Sequence, residues 1–136
     1  RKLGNREMEC IVLLNLAMVA VSRGDGARAV DPLRQVVAFV METGSPQALQ
    51  SLFEVAAGLA ASRGEWERAA RLFGAAERHV EETDYRRDPA DEAYLSSWIA
   101  KTRAAMGYAA FTAAAGNAAD YATEASSVDR WLSPRD

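Results

Sequence analysis

Few side chains in this sequence could carry chemistry, and each lacks the company that chemistry needs. His79 is the one histidine. With Glu82 three residues on, it offers two metal ligands on one helix face, whereas a metal site needs several converging His, Cys or carboxylate groups. An ordinary surface histidine is the expectation. Cys10, the one cysteine, opens an apolar run with no Lys or His beside it, which predicts a buried, inert thiol. A single cysteine excludes an internal disulfide and fits a reducing cytoplasm. No Gly-rich phosphate loop, Ser-His-Asp arrangement or HExxH pattern occurs. The sequence therefore predicts no catalytic residue, no cofactor and no metal. The acidic residues Glu65, Glu67, Glu81, Glu82, Asp84, Asp88, Asp91 and Glu92 read as solvated helix ends and caps. Trp66 and Trp98 read as core, since aromatic rings dominate burial. Trp131 is expected to dock back on the domain or to contact a partner.

The elements that would position these residues are all helical. Ala, Leu, Glu and Arg dominate, and no sustained alternation of β-branched residues marks a strand. At 136 residues with a formal net charge of −3, the chain is one domain's worth. With two lysines and scattered arginines, it argues against direct nucleic-acid binding, which needs clustered cations. The apolar run Cys10–Val21 is too short to span a bilayer, so no membrane contact is expected. Arg1 in place of an initiator methionine leads us to expect a fragment of a longer protein.

Cap and breaker signals predict the helix bounds. The first helix runs over about Asn5–Ser22. It is apolar all round, which predicts a buried helix. Gly24-Asp25-Gly26 breaks it. The second covers about Ala27–Thr43. There Pro32 predicts a kink with a short distorted turn, the alternative being a fresh start capped by Asp31. Gly44 stops it. Ser45-Pro46 opens a third helix to Ser62, Gly64 ends that one, and a fourth spans Trp66–Thr83. Asp88-Pro89 opens a fifth to about Met106, then a short helix covers Tyr108–Ala115 and a last one Ala119–Leu132.

Laying residues 10–44 on 50–84 gives ten identities, five of them around the glycine turn: Ser22/Ser62, Arg23/Arg63, Gly24/Gly64, Arg28/Arg68 and Ala29/Ala69. This fits the tetratricopeptide (TPR) pattern of stacked helix–turn–helix units. Gly24 and Gly64 form the turns. Ala29 and Ala69 are the small residues where two helices approach. The fold expected is an all-α, TPR-like right-handed superhelix of about three hairpins, with units near 5–44, 45–84 and 88–132. The third unit is divergent, as a terminal cap would be.

Three phrases narrow the reading: Leu16-Ala17-Met18-Val19-Ala20 before the first turn, Arg68-Ala69-Ala70-Arg71-Leu72-Phe73-Gly74-Ala75-Ala76-Glu77, and Arg103-Ala104-Ala105-Met106-Gly107 followed by Phe111 and Ala115-Gly116. With them, residues 3–132 resemble the C-terminal helical-repeat region of large bacterial regulators of the LuxR-like and AfsR-like kind, and of related predicted signalling ATPases. The chain departs from that pattern at Pro32 and at Asn117–Glu124. The resemblance implies that catalysis and DNA reading belong to other domains of a parent protein. The repeats would then mediate assembly, or sense a ligand.

In such an array the first helix of each unit lines the inner surface. That makes Ile11, Leu14, Asn15, Met18 and Val21 groove candidates from unit one, and Ser51, Glu54, Val55 and Gly58 from unit two. Asn15 occupies a place where some TPR domains grip a peptide carboxylate, but Ile11 and Ser51 stand where the accompanying lysines would be. The expected partner is a protein or peptide, or other domains of the parent. A homodimer through the apolar first hairpin is a further expectation.

Overall fold

In a computed structural model, residues 2–84 and 86–133 are described. They form seven α-helices and one 3-10 turn, with no strand among them. The helices are α1 (Lys2–Ser22), α2 (Val30–Thr43), α3 (Pro46–Ser62), α4 (Trp66–Thr83), α5 (Pro89–Met106), α6 (Tyr108–Ala115) and α7 (Tyr121–Leu132); the 3-10 turn is Gly26–Ala29. No helix among the described residues is long and apolar enough to cross a membrane.

The breakers act as their chemistry requires. The Ser45 hydroxyl accepts the Ala48 N–H at 3.3 Å and the Asp88 carboxylate accepts that of Asp91 at 3.0 Å, each followed by a proline at the first helical position. Asp120 caps α7 in the same way through Thr123 N–H at 2.9 Å, which starts that helix two residues later than the sequence predicts.

The two copies at a 40-residue offset share their hydrogen bonds as well as their letters. Gly24 and Gly64 adopt φ of +79° and +75°. Asp25 N–H bonds Ala20 C=O at 2.8 Å, and Glu65 N–H bonds Ala60 C=O at 2.9 Å, which closes the same left-handed helix end twice. Arg28 pairs with Asp25 at 3.0 Å, and Arg68 with Glu65 at 3.2 Å. At the far ends, Thr43 and Thr83 each donate to the carbonyl four residues back, both at 2.8 Å. Gly44 and Asp84 then both turn left-handed, at φ +68° and +56°.

The core centres on α3, which packs against α1, α2, α4, α5 and α7. Every residue from Leu52 to Ala61 is buried, and its alanines allow the close approach of neighbours on all sides. Ala29 and Ala69 are fully buried where α1 meets α2 and α3 meets α4.

Two expectations are corrected. First, α1 is not buried all round. Cys10, Leu14, Ala17 and Val21 face the core, but Met8, Ile11, Val12, Leu16 and Val19 are 45–65% exposed. Apolar letters on every face cannot distinguish a core helix from one whose outer side is left uncovered. Second, Pro32 makes no kink. The 3-10 turn takes up the reversal, α2 starts at Val30, and Pro32 falls in its first turn, where no intrahelical N–H is required. Of the two outcomes expected for Trp131, the helix that carries it, α7, docks back on the domain. It turns back over α2, α3 and α4. Tyr121 packs on Phe53 with ring centroids 6.1 Å apart, Glu124 pairs with Arg71 at 3.3 Å, and the Trp131 indole N–H donates to Glu65 at 3.0 Å. Arg63 and Arg68 stack over that indole. Arg78 fastens the reversal by donating to the carbonyls of Ala118 and Ala119.

Candidate functional site

Because α1, α3 and α5 lie side by side with α3 between the other two, their inner faces enclose a groove of about 530 Å³. Its α1 wall is largely apolar, formed by Met8, Ile11, Leu14 and Met18, with Asn15 among them and Glu7 at one end. Its floor is α3, with Ala48, Ser51, Glu54 and Val55. The start of α5 closes the other side with Asp88, Asp91 and Tyr94.

Seven of the nine groove candidates line this space: Ile11, Leu14, Asn15, Met18, Ser51, Glu54 and Val55. The other two do not. Val21 is 1% exposed and belongs to the α1–α2 core. Gly58 is covered by Tyr94: a Cβ on it would lie 2.1 Å from the phenol oxygen, so only glycine admits the ring there. Tyr94 donates to the Val55 carbonyl at 3.1 Å, and burial pushes its phenol pKa up, so the hydroxyl stays protonated.

Beneath the floor runs a polar chain that sequence reasoning missed. His79 is not a surface residue; it is 5% exposed. The Gln50 side-chain nitrogen donates to Glu54 at 2.7 Å and to the Ala76 carbonyl at 3.0 Å. Both partners are pure acceptors, so the amide oxygen must face His79, and His79 Nδ1 carries the proton it donates across 2.7 Å. Burial lowers the His79 pKa, leaving the neutral ring in this tautomer, edge-on to Tyr121. Glu82 is exposed and accepts from the Tyr121 hydroxyl at 2.7 Å, so the His79–Glu82 pair makes no common site. Glu54 also receives Arg87 Nε at 2.7 Å. Burial raises the Glu54 pKa, opposed by the hydrogen bonds from Arg87 and Gln50. Burial alone would lower the Arg87 pKa, but Glu54, with Glu77 and Glu92 nearby, raises it. The carboxylate is thus matched by one cation, with Gln50 and Arg87 both donating to Oε2.

A signal for this chain was present in the repeat. At an offset of 40, Gln50, Glu54 and His79 stand where unit one has Cys10, Leu14 and Phe39. All three positions are buried in both units. The second copy replaces an apolar trio by three groups that hydrogen-bond in series.

The remaining candidates are placed simply. Cys10 is 4% exposed, and burial raises its thiol pKa, which keeps it protonated. Trp66 and Trp98 are half-buried against the core. Among the described residues no three His, Cys, Asp or Glu side chains come together as a metal site. No protein-family model, no curated protein and no solved structure matches the chain.

Proposed function

We propose that this chain is a TPR-like interaction and assembly module, non-catalytic, belonging to a bacterial cytoplasmic transcriptional regulator or signalling ATPase. The observation that carries the reading is the groove: one wall is largely apolar and open to solvent, while Gln50, His79, Glu54 and Arg87 beneath it hydrogen-bond to one another. A surface of that kind gains by covering apolar area, and it presents no nucleophile–base pair to a substrate. The repeated turns at Gly24 and Gly64 support the stacked-hairpin architecture. The exposed ridge of α1 supports self-association as one form of assembly.

A photo-crosslinking residue at Ser51, in cells, tests it against the same residue at Arg34 on the exposed side of α2. Protein adducts from Ser51 alone are the expected result. Adducts from neither site, or equally from both, overturn it. One observation favours a second reading, effector sensing by a small molecule or peptide: the groove's volume falls within the range of roughly 300–1,000 Å³ typical of ligand pockets. Of its polar groups, Asn15 and Ser51 are free to orient such a molecule. A thermal shift with a metabolite panel, lost in Asn15→Leu/Ser51→Ala, would move this reading ahead.

A further inference from the structure

We propose that the groove docks a cationic amphipathic helix, lying with its apolar face on α1 and its basic flank along the start of α5. The proposal rests on the interaction reading and adds the chemistry of the partner. The two walls differ in kind. On α1, Met8, Ile11 and Met18 offer apolar surface along the groove; Ile11 is 55% exposed. Facing them across α3, Asp88 and Asp91 stand close enough that Asp91, partly desolvated, has its pKa raised by burial and by the Asp88 charge, against a lowering effect of Arg87. Glu7 adds another carboxylate at the groove's end, and among the described residues no Lys, Arg or His lines it. Among the described residues the cation near the floor is Arg87, which pairs with Glu54 and also acts on Asp91.

Glu7, Glu54, Asp88 and Asp91 at the groove outnumber the one nearby cation, Arg87, and an incoming ammonium or guanidinium offsets that excess. An acidic partner, nucleic acid included, would add repulsion. From Glu7 to Met18 the α1 wall is about 17 Å long at 1.5 Å per residue, the span of about three helical turns. A helix presenting apolar residues at i, i+3, i+4 and i+7 to that wall carries its flanking lysines or arginines to the α5 side.

The test uses the whole chain and a fluorescein-labelled 14-residue peptide. Leucines sit at i, i+3, i+4 and i+7, lysines and alanines fill the other positions, and a counterpart has glutamate for lysine. Anisotropy at low salt is expected to show saturable binding of the lysine peptide and none of the glutamate peptide. Ile11→Glu should abolish binding. Asp88→Asn/Asp91→Asn, in which asparagine retains the cap at position 88, should weaken it about fivefold, as the loss of two exposed charge pairs implies. Glu67→Gln/Glu81→Gln removes the same charge from α4 away from the groove and should leave affinity unchanged. If the glutamate peptide binds equally, or Asp88→Asn/Asp91→Asn has no effect, while Ile11→Glu still abolishes binding, the cationic partner is refuted and the groove remains an interaction face. If the lysine peptide binds and Ile11→Glu has no effect, the groove itself is refuted as the docking surface. If neither peptide binds, the cationic-helix proposal is overturned, and crosslinking at Ser51 separately decides the interaction reading.

Discussion

Gly58→Ala isolates the contact that fixes α5 against α3. Alanine normally stabilises a helix interior over glycine by about 1 kcal/mol. Here the new Cβ would sit 2.1 Å from the Tyr94 oxygen and 2.6 Å from Cζ. The ring must move, and Tyr94 is only 8% exposed with its hydroxyl bonded to Val55 C=O. Overpacking costs about 1–3 kcal/mol, and a buried hydrogen bond that is lost costs about 1–3 kcal/mol more. Set against the helix gain of about 1 kcal/mol, the net expectation is a loss of about 1–5 kcal/mol. In a Tyr94→Ala background the obstruction is gone and the same substitution should gain about 1 kcal/mol. Urea unfolding followed by circular dichroism, for the four members of this cycle, reads the change of sign. Equal effects of Gly58→Ala in the two backgrounds would refute the close approach. Gly74 supplies the contrast. Its Cβ would meet the backbone oxygen of Ala115 at 2.0 Å, so no side-chain truncation should rescue Gly74→Ala.

Other perturbations probe the turns, the buried polar chain and the open ridge. Gly24→Ala and Gly64→Ala should each cost about 1–2 kcal/mol and agree closely, because both positions are left-handed and nothing lies within 4 Å of the added methyl; unequal urea midpoints would show that the two turns are not equivalent. His79→Asn keeps an N–H donor for Gln50 but cannot titrate. Because burial lowers the folded His79 pKa below its usual value of about 6.5, the wild type loses stability as pH falls through that value, so the gap between wild type and His79→Asn should narrow from pH 7.5 to pH 5. A gap independent of pH would mean that folding leaves the His79 pKa unchanged, and a gap that widens toward pH 5 would mean that the fold favours the charged ring. Leu16→Glu, on the exposed ridge of α1, should abolish any concentration-dependent rise in mass seen by light scattering of the wild type; a wild type that stays monomeric at high concentration removes the ridge as a self-association surface.

What was legible in the sequence is what local chemistry decides. Ser45-Pro46 and Asp88-Pro89 mark helix starts because the cap and the missing proline N–H act within one turn. Gly24, Gly44 and Gly64 mark ends because they adopt the left-handed conformation that other residues resist. Counting groove positions from the repeat named seven of the residues that line it, on α1 and α3, since the repeat fixes which face each helix turns inward. The failures share a cause, which is dependence on a partner far along the chain. His79 looks exposed until Gln50, 29 residues away, accepts its proton. Gly58 looks like groove until Tyr94 occupies it. The α1 ridge looks like core because nothing in its own letters says whether a neighbour covers it. The path of α7 depends on Tyr121, Glu124 and Trp131 each meeting partners on earlier helices, contacts that no periodicity encodes.

That path changes how the domain should come apart. An array of hairpins in which each touches only the next can fray from either end, one hairpin at a time, because losing the last leaves the first intact. Here α7 reaches back to α2, and Trp131 meets Glu65 from 66 residues further along the chain. The last helix is thus a clasp across the first and second hairpins. Releasing it uncovers Phe53, and loosening α2 removes part of the surface on which it rests, so the ends share one fate. The consequence is cooperativity: a single unfolding transition, with amides in α2 and α7 exchanging only when the whole domain opens, in place of the graded melting of an open-ended array.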